Sequence, residues 1–340
     1  MAGILNVDEI ADSTGTRPVL FPIGISIGGN RVSGIPGYNY IINGNFDIWQ
    51  RGTSQTTSGY GSDDRWSNEN MGTTKTNLRA SFAVGEAFPD GVICPSYYSK
   101  THVSSVVGAG NYARKLHKIE SVKTLAGKNV LISFYARADA ARNVSIELTQ
   151  NFGSGGTPSV PIGGIGVQKI SLSTTWQRYS ITIAVPSIAG KVLGSNNNDF
   201  LSLSFWFDAG SNFNTHTTSL GHQSGTFDIA AVSLVEGDID VKPIPRSYGE
   251  ELTLCYRYYE TIKSIVGYAY NLAGQNNVGT IYYAVTKRAL PIITYGAISY
   301  NIASSLTTNT ITTSHLRFQW TTASTGSAFV GFDVYIDAEI

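Results

Sequence analysis

The sequence predicts an all-β chain: an antiparallel sandwich or jelly roll, one short helix, and a small all-β unit after it. Three observations carry this. Segments Val130–Arg137, Val144–Thr149, Tyr179–Val185 and Leu201–Phe207 alternate apolar and polar residues at period two. The stretches between them, such as Gly153-Ser154-Gly155-Gly156 and Gly194–Asp199, are turn-rich and carry no helical pattern. Only one segment, opening at Ser247, repeats its apolar residues at helical spacing.

The elements follow in order. Residues 1–38 hold a turn at Asp12-Ser13-Thr14-Gly15-Thr16, then short extended pieces at Val19–Ile23 and Ile25–Ile27 closed by Gly28-Gly29. So little periodic apolar surface cannot form a core alone, and the segment is expected to dock elsewhere. Residues 39–247 carry the repeated strand signals of a sandwich. Ser247-Tyr248-Gly249-Glu250 has the capping-box spacing, and Leu252, Cys255, Tyr256 and Tyr259 then place a linking helix over 248–262, after Pro243 and Pro245. Residues 263–340 return to strands at Gly279–Val285, Pro291–Tyr295, Thr310–Thr313, His315–Trp320 and Ala328–Tyr335.

Composition narrows the function. The 340 residues hold 24 Lys+Arg against 24 Asp+Glu, so the chain lacks the basic excess that neutralises nucleic-acid phosphates or an anionic membrane. No signal peptide is apparent, and no apolar run reaches the roughly 18 residues of a membrane helix. Cys94 and Cys255 are expected to be buried free thiols. The five histidines do not cluster at metal-ligand spacing, and His216 and His222 read as solvated loop residues. No metal or cofactor is expected. Trp49, Trp66 and Trp176 read as core or turn anchors.

Reading the strands face by face gives a candidate site. Leu201, Leu203, Phe205 and Phe207 leave Ser202, Ser204, Trp206 and Asp208 on the other face; Val130, Ile132, Phe134 and Ala136 oppose Leu131, Ser133, Tyr135 and Arg137; Val144, Ile146 and Leu148 oppose Glu147. If these strands share a sheet, Tyr135, Arg137, Glu147, Trp206 and Asp208 form a carbohydrate platform. Aromatic rings would stack on a pyranose while charged and hydroxyl groups bond its hydroxyls. A loop or neighbouring subunit covering that face would account for the same residues. Glu147 and Asp208 could also pair for glycoside hydrolysis, but no GxSxG, HExxH or Walker pattern is present, and the chain is expected not to be an enzyme.

Several motifs resemble one family. Tyr40–Gly52 with Asp64-Arg65-Trp66, Leu125–Lys128 before Ser133–Asp139, Gln150–Gly153, Thr175–Tyr179, and Arg246–Leu252 running into Cys255–Tyr259 resemble, in order, a module of bacteriophage tail-fibre and other virion-surface proteins. Val285–Pro291 and the ending Asp337-Ala338-Glu339-Ile340 resemble the small β domain that often follows, and Asp12–Thr16 resembles their particle-attachment arms. The resemblance implies a jelly-roll β-sandwich like those of carbohydrate-binding modules, a short helix, a small C-terminal β-sandwich tip, and an extended N-terminal attachment arm.

It also implies a homotrimeric virion fibre or spike, made in the bacterial host cytoplasm. Such a protein would contact other virion proteins through its arm and host surface polysaccharide through the jelly roll. A head fibre, decoration or adaptor protein is the alternative, and a polysaccharide depolymerase the lesser one. In the relatives, an NG(D/N)F motif, here Asn43-Gly44-Asn45-Phe46, and a late acidic pair help hold a structural calcium. Here Ala230 and Ala231 stand at that pair, so the metal is not expected.

Overall fold

Period-two alternation becomes paired sheets. The computed structural model describes residues 26–27, 30–31, 38–238 and 245–340. Asp12–Thr16, Val19–Ile23 and Pro243 lie outside the described residues. Two-residue strands β1 (Ser26–Ile27) and β2 (Asn30–Arg31) pair antiparallel.

The next unit comprises β3 (Ser54–Gln55), β4 (Trp66–Met71), β5 (Thr74–Ser81), β6 (Tyr97–Ser104), β7 (Tyr112–Glu120), β8 (Asn129–Ala138), β9 (Arg142–Asn151), β10 (Ile162–Leu172), β11 (Gln177–Ala184), β12 (Phe200–Ala209) and β13 (Gly225–Glu236). A five-stranded sheet ordered β10-β9-β12-β7-β4 packs on a six-stranded sheet ordered β11-β8-β13-β6-β5-β3. Every ladder is antiparallel. The inward rows are those the alternation marks: Val130, Ile132 and Phe134 of β8 meet Ile146, Leu148, Leu203 and Phe205, all fully buried. The Phe134 and Phe205 rings cross edge to face at 5.1 Å across the sandwich. Each such side chain contributes roughly 1.5–3 kcal/mol by leaving water. Trp66 is fully buried in the same core, Trp49 packs against it, and Trp176 joins a smaller cluster with Phe88, Tyr98 and Tyr135.

Between β12 and β13 a strap carries a 3-10 turn (Ser211–Phe213) and a single-turn helix, α1 (Asn214–Thr217). After β13 comes α2 (Tyr248–Tyr256), with the expected capping box: the Ser247 hydroxyl accepts from the Glu250 N–H, and the Glu250 carboxylate accepts from the Ser247 N–H at 2.8 Å. The helix stops six residues before the expected 262. Its continuation is strand β14 (Tyr259–Asn271), whose Tyr259–Ile262 pair with Asp337–Val334. Tertiary pairing overrides helical spacing here, because Glu260 enters the C-terminal core to accept from the buried ammonium of Lys287.

The last unit is a second sandwich. With β15 (Asn276–Tyr282), β16 (Ile292–Tyr295), β17 (Ser299–Asn301), β18 (Ala303–Ile311), β19 (His315–Thr322) and β20 (Gly326–Asp337), it sets β14-β20-β16, with β17 also on β20, against β15-β19-β18. Leu316, Val330, Val334 and Ile336 are fully buried, and Phe318 crosses Phe332 at 4.9 Å.

Candidate binding site

The five residues read as one platform divide between two sheets. Tyr135 and Arg137 stand on β8 of the six-stranded sheet, whereas Glu147 on β9 and Trp206 and Asp208 on β12 belong to the five-stranded sheet. The condition for a shared platform, strands of a single sheet, is not met. Alternation assigns each strand two faces but cannot say which strands are neighbours.

The face bearing Trp206 is closed. Trp206 is 1% exposed, packed by Tyr112 and Phe213 with ring centroids at 5.6 and 5.2 Å, and the Arg114 guanidinium lies 4.7 Å from its ring. Its indole N–H donates to Glu147 Oε1 at 2.9 Å; Glu147 Oε2 accepts from the Gly164 N–H at 2.7 Å and meets His216 Nδ1 at 2.9 Å. Asp208 accepts from Thr73 Oγ1 at 2.7 Å, Ser105 Oγ at 2.8 Å and the Gln223 N–H at 2.8 Å, and lies 3.1 Å from His222 Nδ1. The two histidines expected in solvent instead fasten the strap onto these fully buried carboxylates. A Trp ring without an open face cannot stack on a sugar, and two enclosed, saturated carboxylates offer no place for a scissile bond.

Arg137 is likewise engaged, donating to Asp228 at 2.9 Å and lying 4.7 Å from the Trp176 ring. Tyr135 stacks on Phe88 at 3.7 Å and donates to Asp90 at 2.7 Å, yet it also lines an open cleft.

That cleft, about 370 Å³, lies on the outer face of the six-stranded sheet. Its floor is Ser133, Tyr135 and Ser233, with the two serine hydroxyls 2.7 Å apart. One wall is Val92, Ile93, Cys94 and Pro95; the other is the turn holding Asn45 and Asp47, with Tyr248 at the start of α2. Burial pushes the Cys94 thiol up to about 11, so it is no thiolate nucleophile.

The Asn43–Ile48 turn has a local cause. Asn43 sits at φ 57°, a conformation asparagine tolerates, and its side-chain amide donates to the Ile48 and Asp64 carbonyls at 2.8 and 3.0 Å. Gly44 O then accepts from the Val232 N–H at 2.9 Å at a bulge of β13, where Ala231 is at φ 48°. A Cβ on Gly44 would lie 2.0 Å from Val232 O, so only glycine allows the approach.

Asp47 is the residue this arrangement leaves unpaid. Its Oδ1 is buried without a hydrogen-bond partner, and burial, aided by the nearby Glu251 charge, pushes its carboxyl up to about 6. Glu251 has partners of its own: Arg246 Nη1 at 2.8 Å and the Asn43 N–H. The calcium of similar modules does not fit these residues. Ala230 and Ala231 supply no side-chain oxygen, Gly44 O is taken by Val232, and no cluster of metal-ligating side chains occurs among the described residues.

Asp47, Asn45, Arg178 and Tyr248 were not singled out from the sequence as ligand residues. For Asp47 a signal existed, an acid directly after the Asn43–Phe46 motif; for the Val92–Pro95 wall there was none.

Fold and cleft together define an all-β protein of two sandwiches with a polar and apolar pocket on the larger one. No family model matches the chain, and no curated protein matches it. Solved structures similar to it include a family 11 carbohydrate-binding module of a Clostridium thermocellum cellulosomal cellulase, 11% identical with a TM-score of 0.33 over 55% of this chain and 96% of that one. Another is a xylan-binding domain from Paenibacillus barcinonensis, 16% identical with a TM-score of 0.32 over 51% of this chain and 91% of that one. A third is the enzymatically active domain of tailspike protein 4 of bacteriophage CBA120, 14% identical with a TM-score of 0.32 over 58% of this chain and 21% of that one.

Proposed function

We propose that this chain is a non-enzymatic, homotrimeric fibre or spike subunit of a bacteriophage virion, binding host surface glycan through the cleft of its jelly roll. The observation that carries the binding role is the cleft itself: floored by hydroxyls, walled by apolar side chains and lined by the carboxylate residue Asp47. Hydroxyls and a carboxylate beside apolar surface suit a ligand that brings donors and apolar faces together, as a saccharide does. The virion assignment rests on the ordered motifs from Tyr40 to Tyr259 and on an N-terminal segment too poor in apolar residues to fold alone. Three copies would add avidity through effective concentration.

The test is binding of the full chain to host envelope polysaccharide, with Asp47→Ala and Tyr248→Ala as variants. Weakening of about tenfold or more by either supports the cleft, and binding unchanged in both overturns it. A reducing-sugar assay on the same polysaccharide is expected to detect no cleavage.

The closed Trp206 face favours a second reading, a head-fibre, decoration or adaptor subunit whose surfaces serve other virion proteins. Immunogold labelling of intact particles separates the two: label at the free end of a tail fibre supports the first reading, and label on the head supports the second.

A further inference from the structure

Much of the second sandwich is bare of charge. Between Lys263 and Asp333 only Lys287, Arg288 and Arg317 are charged. Lys287 is buried against Glu260, and Arg288 donates to the Asn197 carbonyl of the jelly roll at 3.0 Å, which leaves Arg317 as the one exposed charged side chain in this described stretch. Strand geometry turns large apolar side chains outward here. Gly267 of β14 faces the Trp320 ring, where a Cβ would lie 2.7 Å from the indole, so Val266, Tyr268 and Tyr270 take the outer face, the two tyrosines 75% and 78% exposed. On β15, Asn277 and Ile281 are buried, so Val278 and Tyr282, the latter 76% exposed, point outward. The two sheets pack face to face, and these two patches therefore look in opposite directions across one edge of the sandwich, with Arg317, opposite Thr280 on β19, on the β15 side.

That edge is unguarded. β14 and β15 each end their sheet, and Asn271 donates to Asn277 at 3.1 Å beside the turn that joins them. The jelly roll covers the start of β14, where Gln50 bonds the Tyr259 carbonyl and the Thr261 N–H at 3.0 and 3.3 Å. Among the described residues no strand pairs with the outer side of Ile265–Asn271, and neither charge nor proline protects it, as they do at most free edges.

A sugar matches this surface poorly, since the stretch holds no carboxylate to accept its hydroxyls and aliphatic Val266, Leu272 and Val278 stand among the tyrosines. Charge-poor apolar surface is the kind that copies of one chain bury. If the β15 side met itself, Arg317 would face its own copy. When opposite sides meet, Arg317 faces the tyrosine rings of the next copy instead, a favourable contact for a guanidinium.

We propose that copies of this chain close into a ring through their C-terminal sandwiches, the Tyr268/Tyr270 face of each packing on the Val278/Tyr282 face of the next. This rests on the homotrimer reading above and locates its contact. The three tyrosines, each about three-quarters exposed, offer roughly 350–550 Å². Val266, Leu272 and Val278 bring each copy towards the roughly 800 Å² per partner of a standard interface.

Sedimentation velocity of the full chain at micromolar concentration tests it, with Tyr268→Lys/Tyr270→Lys altering one face and Val278→Lys/Tyr282→Lys the other. The wild type is expected to be trimeric. Each variant should associate at least about a hundredfold more weakly and run as a monomer, because an ammonium is then desolvated against apolar surface or set against Arg317. An equal mixture of the two variants should give a one-to-one dimer, since one intact face of each kind remains but the ring cannot close. The substituted side chains are exposed, so both variants are expected to fold, and circular dichroism checks this. A trimer undisturbed by either variant, dissociation by only one of them, or a mixture that stays monomeric overturns this contact while the homotrimer stands. A monomeric wild type overturns both, and loss of polysaccharide binding in Tyr268→Lys/Tyr270→Lys would then make that face a glycan platform.

Discussion

Arg65 of the jelly roll and Glu339 of the C-terminal sandwich form a buried ion pair, with side chains 1% and 6% exposed. The Arg65 guanidinium lies 3.4 Å from the Tyr258 ring centroid and also donates to the Lys118 carbonyl at 2.6 Å. Arg51 repeats the arrangement beside it, reaching Asp337 at 3.2 Å and Glu339 at 3.3 Å under the Tyr259 ring. Two motifs nearly a chain length apart, Asp64-Arg65-Trp66 and Asp337-Ala338-Glu339-Ile340, thus meet at one seam.

Breaking that pair from one side should be costly. Arg65→Met takes from the buried Glu339 one of its two cations, leaving Arg51, and is expected to destabilise by about 1.5–3 kcal/mol. The double variant Arg65→Met/Glu339→Met should recover part of the loss, because the under-compensated Glu339 carboxylate is gone and Arg51 keeps Asp337. Denaturant melts of the single and double variants check this; additive losses would refute coupling between the two residues.

Gly44→Ala should be among the most damaging small substitutions. The added carbon meets the Val232 carbonyl oxygen at 2.0 Å, so either the Asn43–Ile48 turn or the β13 bulge must move. A loss of about 2 kcal/mol or more is expected, with weakened ligand binding, since the turn also carries Asp47. Gly249→Ala, at an open position in α2, serves as the control and should be neutral or slightly stabilising.

Asp47 gives a pH signature. An acid whose folded-state pKa, about 6, exceeds its unfolded value near 3.9 holds its proton more tightly in the native state. Its contribution to stability is therefore full below about pH 4 and lost as pH rises through about 6. Asp47→Asn should then stabilise the protein at pH 7.5 by on the order of 1 kcal/mol, discounted for partial exposure, and have little effect at pH 4. Parallel urea titrations at the two pH values measure the difference.

Trp206→Ala should act on stability and not on the ligand. Removing an enclosed indole that also donates to Glu147 is expected to cost about 3–5 kcal/mol, while affinity in the cleft stays within about twofold wherever the variant is folded. A selective loss of glycan affinity at unchanged stability would return Trp206 to the binding surface.

Much of the fold was legible because it is written locally. The inward rows of β8, β9 and β12 and the Ser247–Glu250 capping box depend on neighbours in sequence, and the structure follows them. What was not legible depends on partners far away. Tyr259 continues a helical spacing but pairs with Asp337 across 78 residues of sequence, so β14 was missed. Tyr135 and Trp206 share a polar-face pattern, yet sheet order puts them on opposite sides of the sandwich. His216 and His222 looked like loop polarity because the carboxylates they meet, Glu147 and Asp208, lie on separate strands.

The buried basic residues have a consequence for degradation. Arg65, Lys75, Lys115 and Lys287 are each no more than 4% exposed, and Lys115 is held by Asp63 within the first sandwich. A trypsin-like protease must seat such a side chain in its specificity pocket, so these bonds are cut only after the surrounding strands separate. Cleavage there would report opening of whole sheets, whereas nicking confined to exposed basic loops would leave both sandwiches associated through their shared seam.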